Sequence, residues 1–146
     1  MQNNSIMIKK LKEIIKEKSM KYTKQREVIF ETILDSAKHL NAEEINQTIL
    51  ASYPEESIGI ATIYRALVFL EEVNLITSIA LDKDGKKFEA NTKQHHDHLI
   101  CVKCSKIIEF LDVQIEKKQE KIAKENGFQL LNHTMYLYGI CKECQD

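Results

Sequence analysis

Apolar residues recur at helical spacing through the first half of the chain. Ile8, Leu11, Ile14 and Ile15 stand among lysines over 7–18, which predicts an amphipathic helix. Thr23 is a predicted N-cap, with Arg26 three residues on. The apolar series Ile29, Phe30, Ile33, Leu34 and Ala37 then makes a second helix. Asn41 and Glu44 have the spacing of a capping box and open a third helix, whose inner face is Ala42, Ile45 and Ile49. Tyr53-Pro54 ends it. A fourth helix follows Gly59. Its stripe of Ile63, Ala66, Leu67 and Leu70 turns Ala61, Arg65 and Val68 away from the core, with Tyr64 on the flank. The period then changes. Leu75 to Leu81, a turn at Asp84-Gly85, and Lys86 to Ala90 predict a β-hairpin. Helices followed by such a ribbon describe a winged helix-turn-helix.

The texture changes again around 91–94. One His and no Cys precede that stretch, and four His and four Cys follow it. The expected division is therefore 1–90, a hinge at 91–94, and a second domain over 95–146. This second part reads as strand (Leu99 to Val102), strand (Lys106 to Phe110), helix (Val113 to Asn126, with Gly127 as its C-cap) and strand (Phe128 to Tyr138). The expected fold class is α+β. About 50 residues bury little apolar surface by themselves, so this part calls for a metal, a partner subunit or both.

Composition excludes several classes. Hydrophobic residues are 43% and charged residues 29%, with four Gly, one Pro and no Trp, which is ordinary globular usage and not that of a disordered or collagenous chain. No apolar run reaches a membrane span and no leader pattern opens the chain, so the expectation is a cytoplasmic protein with no membrane partner. The net charge of −1 speaks against nucleic acid until its distribution is read. Residues 1–38 hold nine basic and five acidic side chains, whereas 39–60 hold four acids and no Lys or Arg. A local basic surface is what a phosphate meets.

Two sequence features carry metal chemistry. Cys101-x-x-Cys104 and Cys141-x-x-Cys144 each put two sulfurs on a tight turn, and together they suit tetrahedral zinc. Disulfides and a thioredoxin-like redox pair are the alternatives. The first is disfavoured in a reducing compartment, and the second leaves the matched pairs unexplained. In His95-His96-Asp97-His98, alternation along a strand puts His96 and His98 on one side and His95 and Asp97 on the other. One tetrapeptide can thus feed two sites. Imidazole and carboxylate suit Fe(II), Mn(II), Co(II), Ni(II) or Zn(II), with His39, Glu89, Glu109, Glu116 and His133 as candidate companions.

From about Lys21 to Cys144 the chain resembles the ferric uptake regulator family of metal-responsive bacterial repressors. The stretches that carry the resemblance are Gly59-Ile60-Ala61-Thr62-Ile63-Tyr64-Arg65, His95 to Cys104, and Cys141-Lys142-Glu143-Cys144. The resemblance implies an N-terminal winged-helix DNA-binding domain and a small C-terminal α/β dimerisation domain. It implies structural Zn(2+) on Cys101, Cys104, Cys141 and Cys144. It implies regulatory Fe(2+) on His39, Glu89, His96, His98 and Glu109, where Mn(2+), Co(2+) or Zn(2+) can substitute. A further metal site falls on His95, Asp97, Glu116 and His133. Lys21, Tyr64 and Arg65 match DNA contacts, Lys21 in the minor groove. Implied partners are an A/T-rich palindromic double-stranded operator and a second copy of the chain, with a tetramer as the alternative assembly.

Two departures stand out. Gln25 occupies a position where many members have Pro, and the stretch before Lys21 is longer than the family minimum, a candidate extra DNA-contacting helix. Peroxide sensors of the family typically carry Asp where this chain has Glu89 and Glu109, so the expected subtype is an iron sensor, with zinc or peroxide sensing as alternatives. No enzyme is expected. A small metallohydrolase would need an open metal position and a general base, no HExxH pattern occurs, and the recognition-helix stretch would be unexplained. A zinc-stabilised interaction module without DNA binding is the remaining alternative.

Overall fold

The computed structural model describes residues 2–81, 85–91 and 95–146. The fold is α+β. The chain divides between Lys93 and Gln94 into two compact units. The expected hinge positions 92–94, and Asp84 of the expected hairpin turn, lie outside the described residues.

The first unit runs α1 (Gln2–Glu17), α2 (Lys24–Asp35), α3 (Ala42–Ser52), α4 (Ile60–Glu72), β1 (Ile76–Leu81) and β2 (Gly85–Ala90). Helix α1 starts earlier than the apolar pattern suggests. Its Leu11 and Ile15 are buried in the same core as Phe30, Ile45, Ile63 and Leu70. The helix ends in a Schellman closure: Met20 N–H donates to the Ile15 carbonyl and Ser19 N–H to the Lys16 carbonyl, with Ser19 at φ 53 in the left-handed region. Helix α2 is capped by Thr23, whose side chain accepts from Arg26 N–H. Helix α3 has its capping box complete: Asn41 Oδ1 accepts from Glu44 N–H at 2.8 Å and Glu44 Oε1 from Asn41 N–H at 3.0 Å. In α4, Ile63, Ala66, Leu67 and Leu70 are buried while Tyr64 and Val68 are more than half exposed.

Strands β1 and β2 pair antiparallel, from Ile76 opposite Ala90 to Leu81 opposite Gly85. An isolated antiparallel bridge joins Leu40 to Phe88, with both backbone hydrogen bonds made. It fastens the chain ahead of α3 to the hairpin and sets His39 beside Glu89.

The second unit runs β3 (Asp97–Cys101), β4 (Ile107–Phe110), α5 (Val113–Glu125) and β5 (Tyr136–Gly139), then a 3₁₀ turn at Lys142–Cys144. The sheet order is β4-β3-β5. Strand β3 is antiparallel to β4 and parallel to β5. Three expectations need correction. Strand β3 begins at Asp97, two residues before the expected Leu99, because the register with β4 continues through His98 opposite Glu109 to Asp97 opposite Phe110. The strand expected over Phe128 to Tyr138 is regular only from Tyr136: the parallel register with β3 runs from His98 opposite Tyr136 to Cys101 opposite Gly139, and ahead of it the Met135 carbonyl accepts from His98 N–H at 3.2 Å. Helix α5 ends at Glu125, with Asn126 as its C-cap. Gly127, at φ 74, is the left-handed residue beyond it, and Phe128 N–H donates to the Ala123 carbonyl.

Helix α5 is N-capped by Asp112, whose carboxylate accepts from the N–H groups of Gln114 and Ile115. None of its residues is buried. No helix among the described residues is long and apolar enough to cross a membrane.

The capping box gives a direct check. Asn41→Ala removes the acceptor for Glu44 N–H and is expected to destabilise the first unit by about 1 kcal/mol. Denaturant unfolding followed by circular dichroism measures it, and an unchanged midpoint would contradict the cap's role.

Candidate metal centres and nucleic-acid surface

Strand β3 and the turn after it deliver the first sulfur pair. Cys101 is the last residue of β3, and Cys104 closes the turn that follows. Cys141 and Cys144 bracket the 3₁₀ turn after β5, which the parallel pairing of Cys101 with Gly139 brings alongside. All four are free thiols whose sulfurs lie within 4.8 Å of one another. The Cys104–Cys141 sulfur distance is 3.7 Å, far beyond a disulfide. Four sulfurs about 2.3 Å from one zinc would stand about 3.8 Å apart, so the spacing fits the ion. Cys141 N–H points at Cys101 Sγ at 3.3 Å. That donor, with the Cys104 N–H, pulls the Cys101 thiol down to about 6, while desolvation pushes Cys141 up to about 12. Backbone donors thus favour the Cys101 thiolate, while burial disfavours charge on Cys141. The protein would supply all four ligands, so the metal here holds structure.

A second donor set forms at the start of β3. His95 Nε2 and His133 Nε2 are 2.8 Å apart. His133 Nε2 is 3.2 Å from Asp97 Oδ1 and 3.2 Å from Glu116 Oε1. His95 Nε2 is 3.3 Å from Asp97 Oδ1 and 3.8 Å from Glu116 Oε1. Asp97 is only 1% exposed, and its Oδ2 has no hydrogen-bond partner among the described residues. A buried carboxylate under two ring nitrogens that face the same point is a donor arrangement for a divalent cation. Glu116 reaches it from the first turn of α5, which the Asp112 cap holds in place.

The remaining candidate ligands are described unit by unit. In the first unit His39 Nε2 is 2.9 Å from Glu89 Oε2, a consequence of the Leu40–Phe88 bridge. In the second, His96 Nε2 is 3.5 Å from Glu109 Oε1, the His96 and His98 rings are 4.7 Å apart, and His98 is the register partner of Glu109. These are mixed nitrogen and oxygen donors, suited to Fe(II), Mn(II) or Zn(II).

The candidate DNA residues lie in the first unit. Arg65 Nη2 donates to Thr62 Oγ1 at 3.1 Å on the outer face of α4. Lys21 sits in the segment between α1 and α2, where its carbonyl accepts from Arg26 Nη1 at 3.4 Å. The guanidinium carbon of Arg26 also lies 4.5 Å from the centre of the Phe69 ring of α4, a contact the sequence does not announce. Only the place of Arg26 at N3 of a capped helix was visible, and its packing on α4 is a tertiary contact.

The chain matches the model of the ferric uptake regulator family over residues 17–138. It is 47% identical to the ferric uptake regulation protein of Campylobacter upsaliensis over 139 residues, covering 95% of this chain and 89% of that one. The solved ferric uptake regulator of Helicobacter pylori, described as having three functional metal-binding sites, superposes with a TM-score of 0.89 at 37% identity over 98% of this chain and 94% of that one. The regulator from Francisella tularensis, solved with iron, gives 0.75 at 33% identity over 87% and 96%.

Replacing Cys104 by Ser is expected to abolish stoichiometric zinc and loosen the second unit. Elemental analysis of the purified protein and protease cutting within 95–146 report this. A zinc-free variant as resistant as the parent would contradict a structural role.

Proposed function

The chain belongs to the ferric uptake regulator family of metal-dependent transcriptional regulators, which are not enzymes, and on that footing we propose that it is an Fe(II)-sensing repressor of iron-uptake genes. It acts as a dimer on an A/T-rich palindromic operator. The observation that carries this reading is the pairing, in one chain, of a winged-helix unit whose α4 exposes Tyr64 and Arg65 with mixed nitrogen–oxygen donor sets that suit a divalent first-row ion.

The proposed regulatory ligands are His39, Glu89, His96, His98 and Glu109, which the sequence distributes over both units. A bound dication supplies positive charge and a cross-link among these donors. His39 and Glu89 belong to the segments flanking α3 and ending the wing, so their engagement restrains the winged-helix unit as a body. His96, His98 and Glu109 are held by the β3–β4 register. Restraint shifts the population towards the geometry in which two α4 helices meet successive major-groove faces, about 34 Å apart on a palindrome. Arg65 suits a guanine edge or a phosphate, Tyr64 a thymine methyl, and Lys21 a narrow A·T minor groove. Cys101, Cys104, Cys141 and Cys144 hold structural zinc. His95, Asp97, Glu116 and His133 form an additional divalent site.

Dimerisation through the second unit is supported by what that unit leaves uncovered. Val113 and Ile122 of α5 are about 60% exposed, and Leu131 is 86% exposed. Strand β5 pairs with β3 alone, so among the described residues its outer edge is open. A second copy of the chain covers both features at once. The iron subtype rests on Glu at both 89 and 109.

Substituting His96 and His98 together by Ala is expected to abolish metal-dependent operator binding while the zinc-loaded dimer persists, read by gel shift and sedimentation with and without Fe(II) or Mn(II). In contrast, Arg65→Ala should weaken operator binding roughly tenfold or more with metal affinity unchanged. Metal-dependent binding that survives the double histidine change would overturn the regulatory assignment.

A further inference from the structure

Lys21 is a flexible side chain on a short connection, yet a minor-groove reader must keep a fixed offset from the helix that reads the major groove. The segment that bears it is clamped from three directions. On its amino side the Schellman closure of α1, with Ser19 left-handed, fixes where the chain leaves the helix. The Lys12 ammonium stands 5.6 Å over the Tyr22 ring. On the other side Arg26, in the first turn of α2, spans two elements: its Nη1 donates to the Lys21 carbonyl at 3.4 Å, and its guanidinium carbon lies 4.5 Å above the Phe69 ring. Phe69 belongs to α4 and follows Arg65 by four residues, one helical turn along the same helix.

We propose that Arg26 is a positioning residue that ties the backbone of Lys21 to the recognition helix and so sets the distance between minor-groove and major-groove contacts. This rests on the reading of Lys21 and α4 as DNA-contacting elements. Arg is required for the task because a planar guanidinium can stack on Phe69 while a donor at its edge reaches the carbonyl. An ammonium in the same place is a point charge and makes at most one of these contacts well.

The test is a double-mutant cycle on the full-length, zinc-loaded protein with saturating Mn(II), titrated against an A·T-rich palindromic duplex. Lys21→Ala, Arg26→Lys and the pair are compared, with thermal melts to show that each folds. Arg26→Lys alone is expected to weaken binding about fivefold, and Phe69→Leu to match it. In the Lys21→Ala background Arg26→Lys is expected to cost nothing further. A second readout separates positioning from general stability. Replacing adenine by 2,6-diaminopurine adds a minor-groove amino group and leaves the major-groove edge intact. The parent should lose affinity for that duplex, whereas Lys21→Ala and Arg26→Lys should be insensitive to it. If Arg26→Lys costs the same with and without Lys21, or keeps the parent's sensitivity to diaminopurine, the positioning role is overturned. If Lys21→Ala itself leaves binding unchanged, the reading of Lys21 as a DNA contact fails first, and this proposal with it.

Discussion

Strand β3 is hydrogen-bonded on both edges, to β4 on one side and to β5 on the other, and the chemistry of the second unit depends on that double pairing. A strand paired on both sides cannot slip without breaking two ladders, so every donor it carries has a fixed address. The antiparallel register sets His98 opposite Glu109. The parallel register sets Cys101 beside Gly139, two residues ahead of Cys141. The pleat sends Asp97 and His98 to opposite faces, so a five-residue strand serves separate donor sets and ends in a zinc-type cysteine. The corresponding device in the first unit is smaller. One antiparallel bridge, Leu40 to Phe88, joins the chain ahead of α3 to the wing and makes neighbours of His39 and Glu89.

The two units solve the burial problem differently. The first has a continuous apolar core drawn from all four helices and the hairpin, including the amino-terminal helix through Leu11 and Ile15. The second buries few side chains: among the described residues Ile100 and Cys101 are its enclosed hydrophobics, and α5 contributes none. Four thiol sulfurs at zinc spacing and a buried carboxylate beneath two imidazoles take the place of apolar packing. Metal binding free energy in such a site is folding free energy, and the uncovered apolar side chains on α5 and after it are what the proposed second copy would cover.

Much of this was legible in the sequence because the signals were local. The Asn41–Glu44 box, the Thr23 cap, the apolar stripe of α4 and the paired Cys-x-x-Cys motifs all act within a few residues, and each is seen where the pattern put it. The errors fell where the deciding partner was distant. The strand expected over Phe128 to Tyr138 is shorter because its length is set by its partner, and the register with β3 runs only from His98 opposite Tyr136 to Cys101 opposite Gly139. The early start of β3 at Asp97 was invisible for the same reason, since β4 defines it. Arg26 on Phe69 and the Leu40–Phe88 bridge are contacts across more than forty residues of chain that no local pattern announces. Net charge misled for a different reason: four of the acids are candidate metal ligands, while the basic surplus lies in 1–38.

If divalent metal and operator DNA act on one equilibrium, as proposed, each must strengthen the other by the same factor. The direct measurement is the affinity of the zinc-loaded protein for Mn(II), or for Fe(II) under anaerobic conditions, taken with and without a saturating A·T-rich palindromic duplex. Metal binding is expected to be tighter in the presence of DNA, by a factor equal to the gain in DNA affinity that the metal confers. Metal affinity that is the same with and without the duplex would contradict it.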